Sequence, residues 1–440
     1  MVTWSARDLP EPPPLCGVEN VEGTTISRAR STGRSIVVIT LALCAAAPAL
    51  AVEFHRFTVT DLGTLGGRYS VAYGINRRGQ VVGESRTGAV DEFGSPISHA
   101  FLWLPAPDYG LPAGMNDLGV IDGERSSASD INDIGQVVGW SDAGVDAFGP
   151  VSHAFRWERG VFTDLGTLSG AGEIPIPLCC GTSDAVAINE SGEVVGYEHV
   201  GYGGTPFVWL PSAAYGLDAG INTLIGGALA SADDINNDGQ IVGKRPSSDV
   251  YPEGHAYVWL PAPNHGLPAG LNILTSSLPE GSGASAINDR GQVVGTAAIR
   301  EDPIYMVIEH GFLWENGELM DLGTLGGDHS AAVDINESGQ IIGRSFTLSG
   351  ERPFLWQDGA MIDLNELIAP DSGWELAEVH AINDAGQIVG WGEFNGDAHA
   401  FLLTPIVPIP AVSTWGVVVS ILALLTVGVV VFGRTPIRAR

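Results

Sequence analysis

Ile75-Asn76-Arg77-Arg78-Gly79-Gln80-Val81-Val82-Gly83 is one of seven copies of a single cassette, I-N-x-x-G-[QE]-[VI]-[VI]-G, and its recurrence decides the fold. The cassette Asn falls at Asn76, Asn132, Asn189, Asn236, Asn288, Asn336 and Asn383, with gaps of 56, 57, 47, 52, 48 and 47 residues. A chain that repeats at this period is one supersecondary unit stacked on copies of itself. A second element follows each cassette: HAFLW from His99, HAFRW from His153, TPFVW from Thr205, HAYVW from His255, HGFLW from His310, RPFLW from Arg352 and HAFLL from His399. A third, DLGTLGG, is clearest at Asp61 to Gly67 and Asp321 to Gly327.

Each repeat predicts four short strands, because runs of Val, Ile, Phe and Trp are bounded by Gly, Asn and Asp and show no sustained helical period. Strand a ends at the I-N. The N-x-x-G that follows suits a type I turn, with Asn bonding the backbone and Gly accepting positive φ, and strand b is the run after it. Strand c is HAFLW. It passes to strand d through Asn316-Gly317 or Asp358-Gly359 in two repeats, and through insertions such as Leu104 to Gly114 in repeats one, three and four. Four strands cannot bury both faces alone, so the units stack radially into an all-β, seven-bladed β-propeller of four-stranded antiparallel blades. The chain ends agree: Phe57 to Leu62 is a lone strand d, and Phe401 to Thr404 is a strand c without one, so the N-terminal strand is expected to close blade seven. Small residues belong where seven inner strands crowd an axis, and Ala72, Ala128, Ala185, Ala232, Ala284 and Ala332 stand there, with Val379 the exception.

At these residues the chain resembles the HAF-repeat family of exported bacterial proteins, over about Thr60 to Leu403. Thr205 and Arg352 depart from the family His, and Asn365 from its DLGTL. The resemblance implies an exported repeat protein and no defined chemistry.

Both ends read as targeting segments. Residues 1–51 are expected to form a signal peptide with a long n-region in which Arg28, Arg30 and Arg34 precede an apolar run at Ile36 to Ala47, with cleavage after Ala51. The propeller is expected over 52–404, a linker and sorting motif over 405–416, a transmembrane helix over 417–433 of about 28 Å, and a basic cytoplasmic tail over 434–440. Ile409, Pro410, Ser413, Trp415 and Gly416 resemble the IPTL-CTERM and PEP-CTERM sorting signals. That resemblance implies export machinery and a membrane sorting protease as partners, with a permanent C-terminal anchor as the alternative.

Fifty-one acidic residues against 21 basic ones give a formal charge of −30 and repel phosphate backbones, which excludes nucleic acid as a partner. Cys179 and Cys180 are adjacent in a loop and cannot form a disulfide framework. No metalloprotease, nucleophile-elbow or P-loop spacing occurs, and the strand-c histidines and tryptophans sit at equivalent positions of successive repeats, which makes them structural. Asp234 to Gly239 matches the start of a calcium loop, but position twelve is Arg245 and six sister turns lack the acid pattern. No cofactor is expected beyond weak calcium binding. Recognition is then sought in the variable b-to-c loops, with Asp91, Glu92, Asp146, Glu301 and Asp302 as candidate ligand contacts. The expectation is a surface-sorted or anchored, non-enzymatic binding or structural module for a glycan or protein. The competing class is a polysaccharide lyase or hydrolase with acids at the channel mouth.

Overall fold

The computed structural model describes residues 57–145, 150–168, 181–200, 203–224, 230–246, 254–278, 281–301 and 307–406. They form seven four-stranded antiparallel sheets, the blades of a closed propeller. Blade one consists of Ser70–Ile75, Val81–Val90, Pro96–Leu104 and Gly114–Gly119, strands a to d from the axis outward. Blade seven takes strands a to c from Trp374–Ile382, Ile388–Phe394 and Asp397–Pro405, and strand d from the N-terminal Phe57–Asp61. Phe57 pairs with Pro405 and Asp61 with Phe401, the closure the chain ends foretell.

Seven hydrophobic clusters hold the ring, one between each pair of neighbouring blades. Between blades seven and one, Val389, Ala400 and Leu402 pack on Ala72, Val81 and Phe101. The strand-c aromatics Phe101, Phe155, Phe207, Tyr257, Phe312, Phe354 and Phe401 are all fully buried, each contributing about 1.5–3 kcal/mol. The strand-c tryptophans join the same clusters, as Trp157 does between blades one and two. The inner-strand alanines are likewise buried.

Two glycines of the cassette have different reasons. Gly79 and its six equivalents have φ between 70° and 86°, as the turn requires. Gly83 has no unusual φ; a bulge in strand a at Ala72 to Gly74 brings the Val71 carbonyl so near that a Cβ on Gly83 would lie 1.9 Å from its oxygen. The hairpins at Asn316-Gly317 and Asp358-Gly359 adopt the expected paired positive φ. The insertions are small hairpins too, and Tyr109 of the first reaches across to the turn of blade two beside Gly135.

The repeated histidines are cross-links between strands c and d. His99, His153, His310 and His399 place Nδ1 at 2.9–3.0 Å from Asp117, Asp164, Asp321 and Asp61, the Asp of each DLG. Where Arg352 replaces His, its guanidinium lies near Asp363 and Glu375 instead. Where DLNEL replaces DLGTL, a 3-10 turn forms at Leu364–Glu366, and Asn365 bonds both backbone groups of Leu376.

The leader, the sorting motif from Ile409 to Gly416, the span Val417 to Phe432, and Cys179 and Cys180 lie outside the described residues. Among the described residues no helix is long and apolar enough to cross a membrane.

Candidate functional site: the axial channel

The inner strands enclose a channel whose two ends differ. At the end carrying the a-to-b turns, each cassette Asn donates from Nδ2 to the main-chain oxygen of the next blade's Asn: Asn76 to Asn132 at 3.0 Å, and so on to Asn383, which returns to Asn76 at 2.9 Å. The Oδ1 of Asn76 accepts from the backbone of Arg78 and Gln80, fixing its own turn. One side chain therefore shapes a turn and ties two blades.

The residue after each Asn forms a second belt. The backbone N–H of Arg77 donates to Asp133, Asp133 to Glu190, Glu190 to Asn237, Asn237 to Asp289, Asp289 to Glu337 and Glu337 to Asp384. Arg77 completes the circle with its guanidinium, 2.6 Å from Asp384 and 3.6 Å from Asp133. Only about 200 Å³ of space remains at this end.

Three aspartates stand next along the axis, in alternate blades. Asp130 accepts from Ile131 of its own blade at 2.7 Å and Ile188 of the next at 2.9 Å. Asp234 does so with Ile235 and Ile287, and Asp334 with Ile335 and Ile382. Burial pushes all three carboxyls upward: Asp334 to about 6, and Asp234 well above the usual range, with Asp130 and Asp334 adding repulsion. Seven is odd, so the alternation leaves blade one outside it, with Gly74 at the equivalent place.

Beyond these acids the channel widens to about 720 Å³, toward the face of the b-to-c loops. Here the repeats stop resembling one another. The strand-a position facing the void is Tyr73, Ser129, Val186, Asp233, Ser285, Val333 and His380 in blades one to seven. Strand b adds Glu84, Trp140, Tyr197, Lys244 and Thr296, each just after its cassette. Burial raises Asp233 to about 6, opposed by a 2.7 Å hydrogen bond from Ser231 and by the Lys244 charge. Glu84 is also raised by burial, against a hydrogen bond from Ser127. Burial, then the Asp184 charge, pushes the Tyr197 hydroxyl up to about 12. Burial lowers His380, whose Nε2 has no hydrogen-bond partner and sits 3.7 Å from Glu378.

Of the loop acids singled out from sequence, Asp91 and Glu92 lie away from the channel. Asp91 accepts from the backbone of Phe93 and Ser95 within its turn and pairs with Arg125 of the next blade at 2.6 Å; these contacts hold its carboxyl low. Glu92 is exposed beside it. Glu301 ends a strand, and Asp146 and Asp302 lie outside the described residues. Neither Asp91 nor Glu92 lines the wide cavity. Asp234 and Asn236, the start of the calcium-like run, spend their oxygens on backbone N–H groups. Among the described residues no cluster of His, Cys, Asp or Glu is arranged to hold a metal ion. The channel wall was readable in principle: aligned on the Asn, the position three before it varies next to a nearly constant Ala, and Asp precedes Ile in repeats two, four and six.

No family model matches the chain, and no curated protein matches it. Among solved structures it is similar to a putative TolB from Agrobacterium tumefaciens, at 13% identity and TM-score 0.34, over 49% of this chain and 72% of that one. It is similar to Kuenenia stuttgartiensis hydrazine synthase at 10% identity and TM-score 0.34, over 77% and 47% of the two chains. It is similar to Trypanosoma rangeli sialidase at 11% and 0.32, over 76% and 59%. The chain thus spans less than two thirds of the latter two, and such distant likeness carries nothing about what the channel binds.

Proposed function

We propose that the chain is an exported bacterial propeller, sorted to or held at the cell surface, which binds a ligand in the open half of its channel without transforming it. One observation carries this reading. Along a single inner strand Ala72 and Asn76 are repeated in blade after blade with one exception, while Tyr73 between them becomes Ser, Val, Asp, Ser, Val and His. Packing alone gives no reason for that variety, since equivalent positions on one void accept the same small residue. A rigid ring that presents unlike side chains to some 720 Å³ has the form and size of a small-molecule site. Export rests on the leader ending at Ala51, and surface sorting on the Ile409 to Gly416 motif, the apolar span and the terminal arginines. The loop acids Asp91 and Glu92 are offered as secondary contacts to a surface glycan or protein.

A thermal-shift screen of the full-length chain beside a Tyr73→Ala, Trp140→Ala, Tyr197→Ala variant tests the site. A ligand that stabilises the parent and not the variant supports it; equal stabilisation of both removes it. Turnover of a bound oligosaccharide would instead favour a lyase or hydrolase. Mass spectrometry of the native termini tests the destination: loss of the leader with a C-terminus before Val417 supports sorting, an intact span in detergent supports anchoring, and an uncleaved leader on cytosolic protein refutes both.

A further inference from the structure

We infer that the open half of the channel takes an organic polycation, such as a linear polyamine, in preference to a neutral sugar or an anion. This rests on the channel being the binding site and adds the ligand's chemical class. The first ground is charge balance within one enclosed void. Six carboxyl groups face it, from Glu84, Asp130, Asp184, Asp233, Asp234 and Asp334, against the single ammonium of Lys244, the only lysine in the chain. His380, lowered by burial, adds no dependable positive charge at neutral pH.

The second ground is what holds those carboxyls. Asp130, Asp234 and Asp334 accept backbone N–H groups, and Asp233 and Glu84 accept hydroxyls of Ser231 and Ser127. Asp184 meets the Tyr197 hydroxyl and His199. The three axial aspartates meet only neutral donors, and although Lys244 acts on Asp233, Arg86 on Glu84 and His199 on Asp184, the positive groups stay fewer than the carboxyls. A cation entering the void gains Coulomb energy there that a hydroxyl cannot supply.

The third ground is the wall. Asp184 and the level of Glu84 lie five residues before the cassette Asn, Asp233 three and Asp234 two, so the acids are strung along roughly 10 Å of strand. Charges spaced on a flexible chain match that ladder better than one compact ion. Trp140 and Tyr197 stand at the level of Asp184 and Glu84, and Tyr73 at that of Asp233, so aromatic rings flank the acids and offer surface for methylenes and cation–π contact.

Titration calorimetry of the full-length chain with spermidine at pH 7.5 and physiological salt tests this, with a neutral maltooligosaccharide as the contrasting probe. One spermidine per chain is expected, at least tenfold weaker in Glu84→Gln, weaker in Trp140→Leu, and unchanged in Glu318→Gln on the exposed outer strand of blade five. Lowering the pH to 5.5 should weaken binding further, because protonation removes the charges that attract the ligand. Each variant's melting curve confirms that it is folded. Many weak sites that vanish with salt and ignore Glu84→Gln would mean only the acidic surface binds, and would overturn the inference. Binding of the oligosaccharide alone, lost in the aromatic triple variant, would overturn the polycation and leave the channel as the site. Indifference of both probes to every channel variant would overturn both readings.

Discussion

The two ends of the channel are built from the same seven strands and obey opposite rules. At the turn end every blade repeats its Asn, and each Asn answers to the next, so identity is required by closure. Four residues earlier the alanines also repeat, because they wedge between blades. Between these layers one residue per blade faces the void, and no shared partner from blade to blade fixes its identity. There the sequence is free to differ, and it does. In a ring of equivalent units, repetition marks what the ring needs to exist and its failure marks what the ring is for.

The comparison breaks most severely if the ring itself is opened. Removing the chain through Leu62 deletes the fourth strand of blade seven together with Phe57, and exposes the edge of Asp397–Pro405. Loss of the cooperative melt, with aggregation on size-exclusion chromatography, is expected. A truncated protein that melts like the parent would show that closure by this strand contributes nothing.

A sharper form sets one layer against the other within blade three. Asn189 is buried and makes hydrogen bonds through both side-chain ends, including one to Asn236 of the next blade, so Asn189→Ala should cost on the order of 3 kcal/mol. Val186, three residues away on the void, should tolerate Val186→Ser at well under about 1 kcal/mol. Urea denaturation of the two variants gives the contrast directly; equal losses would mean the wall is packing after all.

The legibility of the molecule follows the same division. Blade number, strand order, the closing strand and the positive φ of the cassette glycines could all be read, because each is a local rule stated seven times. The histidines read as structural, and the structure supplies their partners in the DLG aspartates, a pairing invisible to one-dimensional spacing. Loops vary most in length, which points to them as the site. A shorter signal, the variation three residues before each cassette Asn, gains meaning only once seven copies converge on an axis. The belt from Arg77 to Asp384 was equally hidden, since its bonds join residues 47 to 57 apart, and 307 at the closure.

A smaller effect isolates the turn from its surroundings. At Gly339 φ is 79° and nothing stands near an added Cβ, so Gly339→Ala bears only the backbone strain, about 1 kcal/mol. Gly83→Ala at ordinary φ should cost more, because its Cβ would meet the Val71 carbonyl. Chemical denaturation that ranks them the other way would reverse the reasons assigned to the two cassette glycines.

The smallest net effect at neutral pH belongs to Asp334, at the boundary between the two halves, and its sign depends on pH. Its carboxyl is raised by burial to about 6, with backbone donors from Ile382 and Ile335 opposing and the charges of Asp130 and Asp384 adding to the rise. A folded value above the unfolded one, about 3.9, means the proton is held more tightly in the native state. The stabilisation linked to that proton is complete below about pH 4 and is lost as the pH rises through about 6. Asp334→Ala, which installs the side chain already present at Ala286 and Ala381, removes two hydrogen bonds at every pH. It also removes the buried charge that the parent carries only above about pH 6. The variant should therefore be clearly less stable than the parent near pH 4.5 and close to it at pH 7.5, a swing on the order of 3 kcal/mol at most. Urea midpoints at the two pH values measure it, and a constant difference between parent and variant would mean that Asp334 ionises in the fold as it does in the open chain.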